Sequence, residues 1–77
     1  MECAELDARG LSCPLPVLKA RKRLKGMPPG GRLLVLATDP KAPADFVAFC
    51  EASGHRLLAS AEEAGVYRIL VERAAEE

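Results

Sequence analysis

Cys13 lies in the run Gly10-Leu11-Ser12-Cys13-Pro14-Leu15-Pro16, directly ahead of an amphipathic basic segment. That placement puts a thiol at the start of a helix, where backbone N–H groups and the helix dipole favour the thiolate, the nucleophilic form of sulfur. Pro14 suits the first helical position, because its missing N–H would be unpaired there and its fixed φ matches the helix. Pro16 removes a second free donor, so the Leu15 N–H is expected to be the main local donor to the sulfur. Both rings stiffen the junction and hold the thiol outward. A redox pair of the Cys-x-x-Cys type needs its second thiol at position 16, which is proline here. With no resolving thiol close in sequence, Cys13 is suited to accepting a group, holding it and handing it on.

The other candidate residues have plainer readings. Cys50 stands at helical spacing with Phe46 and Phe49 and is expected to be buried, as free cysteines usually are. Cys3 lies on a short strand and is read as incidental. Cys3, Cys13, Cys50 and His55 match no metal-ligand spacing, so no metal and no cofactor is expected. His55, after a helix-stopping glycine, is read as structural. Asp7 and Asp39 are read as turn and cap residues.

Seventy-seven residues make one small domain, able to bury only about 60% of its unfolded surface, which leaves room for one modest core and no deep catalytic cavity. A hydrophobic content of 49% and a charged content of 29% belong to a globular chain, not a disordered one. The longest apolar stretch, Leu33 to Ala37, is too short to span a bilayer, and the acidic start at Glu2 and Glu5 is unlike a signal peptide. An odd number of cysteines fits a reducing cytoplasm better than a disulfide framework. Net charge is zero, yet residues 1–32 hold seven Lys/Arg against three Asp/Glu, and residues 33–77 hold four against eight. The basic half carries Cys13. Lys19, Lys22 and Arg23, within the run from Lys19 to Lys25, are candidates for docking acidic partner proteins beside the thiol and for supporting the thiolate. Direct nucleic-acid binding is not expected, since one Tyr, two Phe and no Trp leave little for base stacking.

The elements that must position these residues follow from periodicity. Cys3 to Ala8 alternates, with Ala4, Leu6 and Ala8 on one side, as in a strand. Gly10 can supply a positive φ in the loop that follows. Pro14 to Lys25 reads as a helix with Val17, Ala20, Leu24 and Met27 near one face, ended by Gly26, Pro28, Pro29, Gly30 and Gly31. Leu33 to Thr38 is a near-continuous apolar run suited to a central strand. Asp39-Pro40 opens a second helix with Asp39 as cap and with Phe46, Phe49, Cys50 and Ser53 on its core face, Val47 beside them, ending at Gly54. Arg56 to Ala61 and Val66 to Arg73 form a hairpin, with Tyr67, Ile69 and Val71 on one face and a frayed tail from Ala74 to Glu77. The order βαβαββ implies an α/β (α+β) fold, a two-layer sandwich with a four-stranded mixed sheet and both helices on one face.

Taken together, Leu6-Asp7-Ala8-Arg9-Gly10-Leu11-Ser12-Cys13-Pro14-Leu15-Pro16 resembles the signature of the TusA/SirA family of small sulfur carriers, marked by Cys-Pro-x-Pro. The resemblance extends through Thr38-Asp39-Pro40, Asp45-Phe46, Phe49-Cys50, Gly54-His55 and the closing strand at Tyr67, and so over essentially all of residues 1–77. It implies the sandwich described above and a sulfurtransferase role. Cys13 would take sulfane sulfur from a cysteine desulfurase or a rhodanese-like donor, carry it as a persulfide and pass it to a thiol-bearing acceptor protein, for tRNA thiolation, molybdenum cofactor synthesis or sulfur oxidation. Pro14 and Pro16, with Gly10, would shape the site. A monomer suits a carrier that docks two partners in turn. The first rival is a regulatory or RNA-binding module that uses the basic helix and not the thiol; the second is a thiol redox protein, against which Pro16 argues.

Overall fold

A computed structural model describes residues 3–74. The elements are β1 (Cys3–Ala8), α1 (Leu15–Lys25), β2 (Arg32–Ala37), α2 (Ala42–Ser53), β3 (Arg56–Glu63) and β4 (Val66–Glu72). The four strands form one sheet in the order β1-β2-β4-β3. β1 runs parallel to β2, and the other two pairings are antiparallel. This is the expected α+β sandwich, and the predicted order is the observed one.

One sheet face supplies most of the core. Ala8, Leu33, Val35, Ala37, Ile69 and Val71 are fully buried, and Ala20, Leu24, Ala42, Phe46 and Cys50 come down on them from the helices. The alternation of β2 explains its central place: Leu33, Val35 and Ala37 point to the helices, while Leu34 and Leu36 on the opposite face are only half-buried. With both helices on one side, the apolar run of β2 is sealed on that side alone. β3 and β4 join through Ala64-Gly65, whose φ values of 53° and 82° give the two-residue turn that matches strand twist.

Several boundaries and faces differ from expectation. β3 runs two residues further, to Glu63, because the turn needs only two residues. Helix α1 starts at Leu15, with Pro14 as its N-cap residue, so the prolines lie one position earlier in the helix than predicted. Pro16 is fully buried and joins Ala20 and Leu24 on the core face, whereas Val17 and Met27 are half-buried. Helix α2 starts at Ala42, not at Pro40, and Lys41 is its N-cap residue. A turn closed by Ala42 N–H on Asp39 C=O at 2.9 Å comes first. Ser53 is exposed: its hydroxyl donates to Phe49 C=O at 2.7 Å and accepts from His55 N–H at 3.3 Å, closing the helix end instead of entering the core. Of the predicted tail, residues 75–77 lie outside the described residues.

Phe46 is the largest fully buried side chain. Phe46→Ala is expected to lower unfolding free energy by about 3–5 kcal/mol in a denaturant titration, while Val47→Ala one position along the helix changes it by less than about 0.5 kcal/mol.

Candidate functional site

The parallel pairing of β1 and β2 is in register to its last pair, Ala8 with Ala37. Both chains therefore leave the sheet at the same edge, and the segment after β1 lies beside the segment after β2. Three local devices shape the first. The Arg9 guanidinium grips the Asp7 carboxylate through Nε at 2.8 Å and Nη2 at 2.9 Å, and this hydrogen bonding lowers the Asp7 carboxyl to about 2. Gly10 takes φ 81°, a conformation that costs glycine little. Leu11 N–H returns to Ala8 C=O at 3.3 Å.

Two side chains from the end of β2 then hold the loop. Gly10 N–H donates to Thr38 Oγ1 at 2.9 Å, and Cys13 N–H donates to Asp39 Oδ2 at 2.6 Å. The other Asp39 oxygen accepts Lys41 N–H at 2.9 Å. Asp39 is thus a turn residue and not the expected cap of α2, and it is also the tether of Cys13, across a sequence separation that no local pattern reveals. These two backbone N–H donors hold the Asp39 carboxyl below its ordinary value.

Cys13 is exposed, as predicted. Its Cys13–Pro14 peptide bond is cis. The sulfur opens onto a shallow hollow of about 350 Å³ between the two helices, lined by Cys13, Pro14, Val17, Asp45, Ala48 and Phe49. The expected electrostatics are reversed here. Asp45, which faces the thiol from α2, is the main cause that raises the Cys13 thiol above its ordinary pKa, followed by desolvation and the Asp39 charge; Lys41 acts the other way. The predicted donor is also taken, because Leu15 N–H bonds Ser12 C=O at 2.8 Å. From Cys13 to Pro16 the backbone has only two N–H groups, and both have carbonyl or carboxylate partners.

The basic residues lie elsewhere. Lys19, Lys22 and Arg23 border a separate hollow with Leu6, Gly26 and Met27, on the β1 flank of α1, and Arg23 Nη1 reaches Glu5 C=O at 3.3 Å. They do not sit beside the sulfur. Lys22, Arg23 and Lys25 occupy the last turn of α1, where cations meet the negative end of the dipole. The two helices also leave large apolar side chains exposed: Leu15 and Leu18 on α1 are 44% and 49% exposed, and Val47 on α2 is 43% exposed. Cys50 is buried, and burial raises its thiol. Cys3 is exposed at the opposite end of β1. The site residues that sequence reasoning missed are Thr38 and Asp45. Asp45 stands in the first turn of α2, where an acid favours the helix, and that local explanation conceals its contact with a cysteine on another element.

His55 supports the wall of this hollow. Its ring packs on Phe49 with centroids 5.5 Å apart, and its Nδ1 accepts Ala74 N–H at 2.9 Å. Both contacts suit the neutral ring, and burial, followed by the Arg73 charge, lowers its pKa below the ordinary 6.5. The unfolded chain therefore binds the proton more readily than the folded one. His55 contributes its stability above the ordinary value and loses it as pH falls from there through the lowered one. The unfolding midpoint of the native chain is expected to drop as the pH falls below 6.5, and that step should flatten in His55→Gln, which can still accept the Ala74 N–H. Asp39→Ala is expected to speed hydrogen exchange of the Cys13 amide without unfolding the sheet; unchanged exchange would show that the tether does not restrain the loop.

Residues 4–73 match the family model described as sulfurtransferase TusA. Among curated relatives, the sulfur carrier protein TusA of Allochromatium vinosum is 48% identical over 69 residues, covering 90% of this chain and 91% of its own. That of Pseudomonas paraeruginosa is 42% identical over 73 residues, covering 95% and 92%. Among solved structures, a SirA-like protein from Desulfitobacterium hafniense superposes with a TM-score of 0.80 at 26% identity, covering 97% of this chain and 100% of its own. With residues 4–73 matching the family model and nearly its whole length aligned with these relatives, the chain belongs to the TusA sulfurtransferase family.

Proposed function

We propose that this chain, residues 1–77 acting as one domain, is a sulfur carrier that holds sulfane sulfur as a persulfide on Cys13. The observation that carries the reading is the presentation of Cys13: exposed, tethered through its own N–H to Asp39, and without a thiol to discharge it. Cys50 is buried, and Cys3 lies a strand length away, roughly 17 Å along β1. Gly10 shapes the loop, Pro14 caps the helix and Pro16 anchors its first turn in the core.

Loading is an exchange between sulfur atoms. The Cys13 thiolate attacks the outer sulfur of a donor persulfide. A bond forms between Cys13 Sγ and that sulfur, the donor S–S bond breaks, and the donor's inner sulfur leaves as a thiolate. Unloading repeats the step, with an acceptor thiolate attacking the terminal sulfur and Cys13 Sγ leaving. Nothing is oxidised or reduced overall, so the step needs access, orientation and thiolate character more than a deep cavity. On its own the chain has little or no turnover as a sulfurtransferase; its substrates are the donor and acceptor proteins.

A cysteine desulfurase or rhodanese-like protein is the donor class and a thiol-bearing protein the acceptor, feeding tRNA thiolation, molybdenum cofactor synthesis or sulfur oxidation. The protein works as a monomer in the cytoplasm; no helix among the described residues is long and apolar enough to cross a membrane. Leu15, Leu18 and Val47 give exposed apolar contact area on the two helices, and Lys19, Lys22 and Arg23 offer a separate cationic flank to acidic partner surfaces. The rival reading of a regulatory or RNA-binding module has only that flank behind it.

Intact-protein mass spectrometry after incubation with a cysteine desulfurase, pyridoxal phosphate and cysteine tests this directly. The native chain is expected to gain one sulfur atom, lost again on reduction, and Cys13→Ser none. An equal gain in Cys13→Ser, or no gain in the native chain with this donor or with thiosulfate plus a rhodanese, overturns the reading. Charge reversal at Lys22 and Arg23 is expected to leave loading in place at high donor concentration.

A further inference from the structure

The groups around the sulfur are arranged against early ionisation. From Cys13 to Pro16 the backbone offers it no unpaired donor: Pro14 and Pro16 have no N–H, Leu15 N–H bonds Ser12 C=O, and Cys13 N–H bonds Asp39 Oδ2. The donors nearest the sulfur at the helix end, which would favour a thiolate, are therefore removed by proline or taken by the turn. What faces the thiol from α2 is Asp45, a hydrogen-bond acceptor carrying a negative charge, with Ala48 and Phe49 beside it. The β2–α2 segment adds Asp39 and, with opposite sign, Lys41; α1 adds only Pro14 and Val17, and its first turn has no acidic residue.

We propose that Asp45 is a positioning residue for sulfur transfer: its carboxylate, lining the same hollow between the helices as the Cys13 thiol, opposes loss of the thiol proton in the unloaded carrier and keeps the loaded carrier from giving up its sulfur before a partner docks. This rests on Cys13 being the persulfide site. In the unloaded state, losing the thiol proton places a second negative charge beside Asp45. In the loaded state, an attacking thiolate forms its bond to the terminal sulfur as the bond from that sulfur to Cys13 Sγ breaks. Cys13 Sγ then departs as a thiolate, again beside Asp45, and a thiol of higher pKa leaves more slowly. A docked cationic side chain that neutralises Asp45 removes both penalties, so transfer is coupled to docking. Among the residues lining the hollow beside Cys13, Asp45 is the charged one, and so the group by which a partner could be felt at the sulfur.

The size of the effect is bounded. Charges on exposed groups interact weakly, and the gain in thiolate is partly offset by its lower intrinsic nucleophilicity. Removing the charge should therefore raise the reaction rate near neutral pH by about twofold. The test is the pH profile of Cys13 alkylation by iodoacetamide in a Cys3→Ser background, for the native residue, Asp45→Asn and Asp45→Ser, with Glu51→Gln as a control that removes a charge from another face of α2. Both Asp45 variants are expected to move the profile to lower pH and the control to leave it in place. Profiles coincident with the native one overturn the proposal. A second readout is the lifetime of the desulfurase-loaded persulfide in excess glutathione, expected to shorten about twofold in Asp45→Asn; an unchanged lifetime overturns the retention role. If no variant loads, the persulfide reading fails, while the alkylation profile still decides what Asp45 does to the thiol.

Discussion

The in-register parallel pairing of β1 with β2 is the constraint on which the site depends. It brings two loops, more than twenty residues apart in the chain, out of the sheet at one edge. Thr38 and Asp39 can then take the N–H groups of Gly10 and Cys13. Without the register those four residues have no reason to meet, and the segment from Arg9 to Cys13 loses both of its long-range hydrogen bonds. The pairing is in turn fixed by burial. A slip of one residue turns Leu33, Val35 and Ala37 away from the helices and exposes the whole inward face of β2.

Around the sulfur, geometry and charge act in different directions. Geometry exposes Cys13 and points it across the hollow at α2. Charge opposes its ionisation, because the carboxylate nearest in effect is Asp45 and the basic face of α1 is turned toward β1. A carrier has two requirements that conflict, ready exchange with partners and slow loss to everything else. An exposed thiol kept protonated by a neighbouring carboxylate meets both if docking changes the charge balance. The buried Cys50 and the distant Cys3 remove the other route of loss, an internal disulfide.

Much of this was legible in the residues. Strand alternation in Ala4-Leu6-Ala8 and Tyr67-Ile69-Val71, the apolar run of β2 and the Gly/Pro punctuation were enough for six elements in order, since each is a local pattern. Cys13 stood out because two prolines follow it at a helix start. The environment of its sulfur was not legible, because Asp39 and Asp45 reach it only through the sheet pairing and the packing of α2. The dipole argument for a thiolate missed two things: Pro14, Pro16 and the Ser12 turn remove the donors nearest the sulfur, and a carboxylate on α2 faces it. Asp39 as the cap of α2 and Ser53 as a core residue failed at helix ends, where a one- or two-residue shift changes which side chain closes the helix.

The most direct test of the account is where a delivered sulfur comes to rest when all three thiols compete for it. The native chain, loaded by a cysteine desulfurase, can be trapped with an alkylating reagent under native conditions, digested and mapped by tandem mass spectrometry. The account predicts the added sulfur on the peptide containing Cys13, with Cys50 unmodified and Cys3 carrying at most a trace. A principal signal on Cys3 or Cys50 would contradict it.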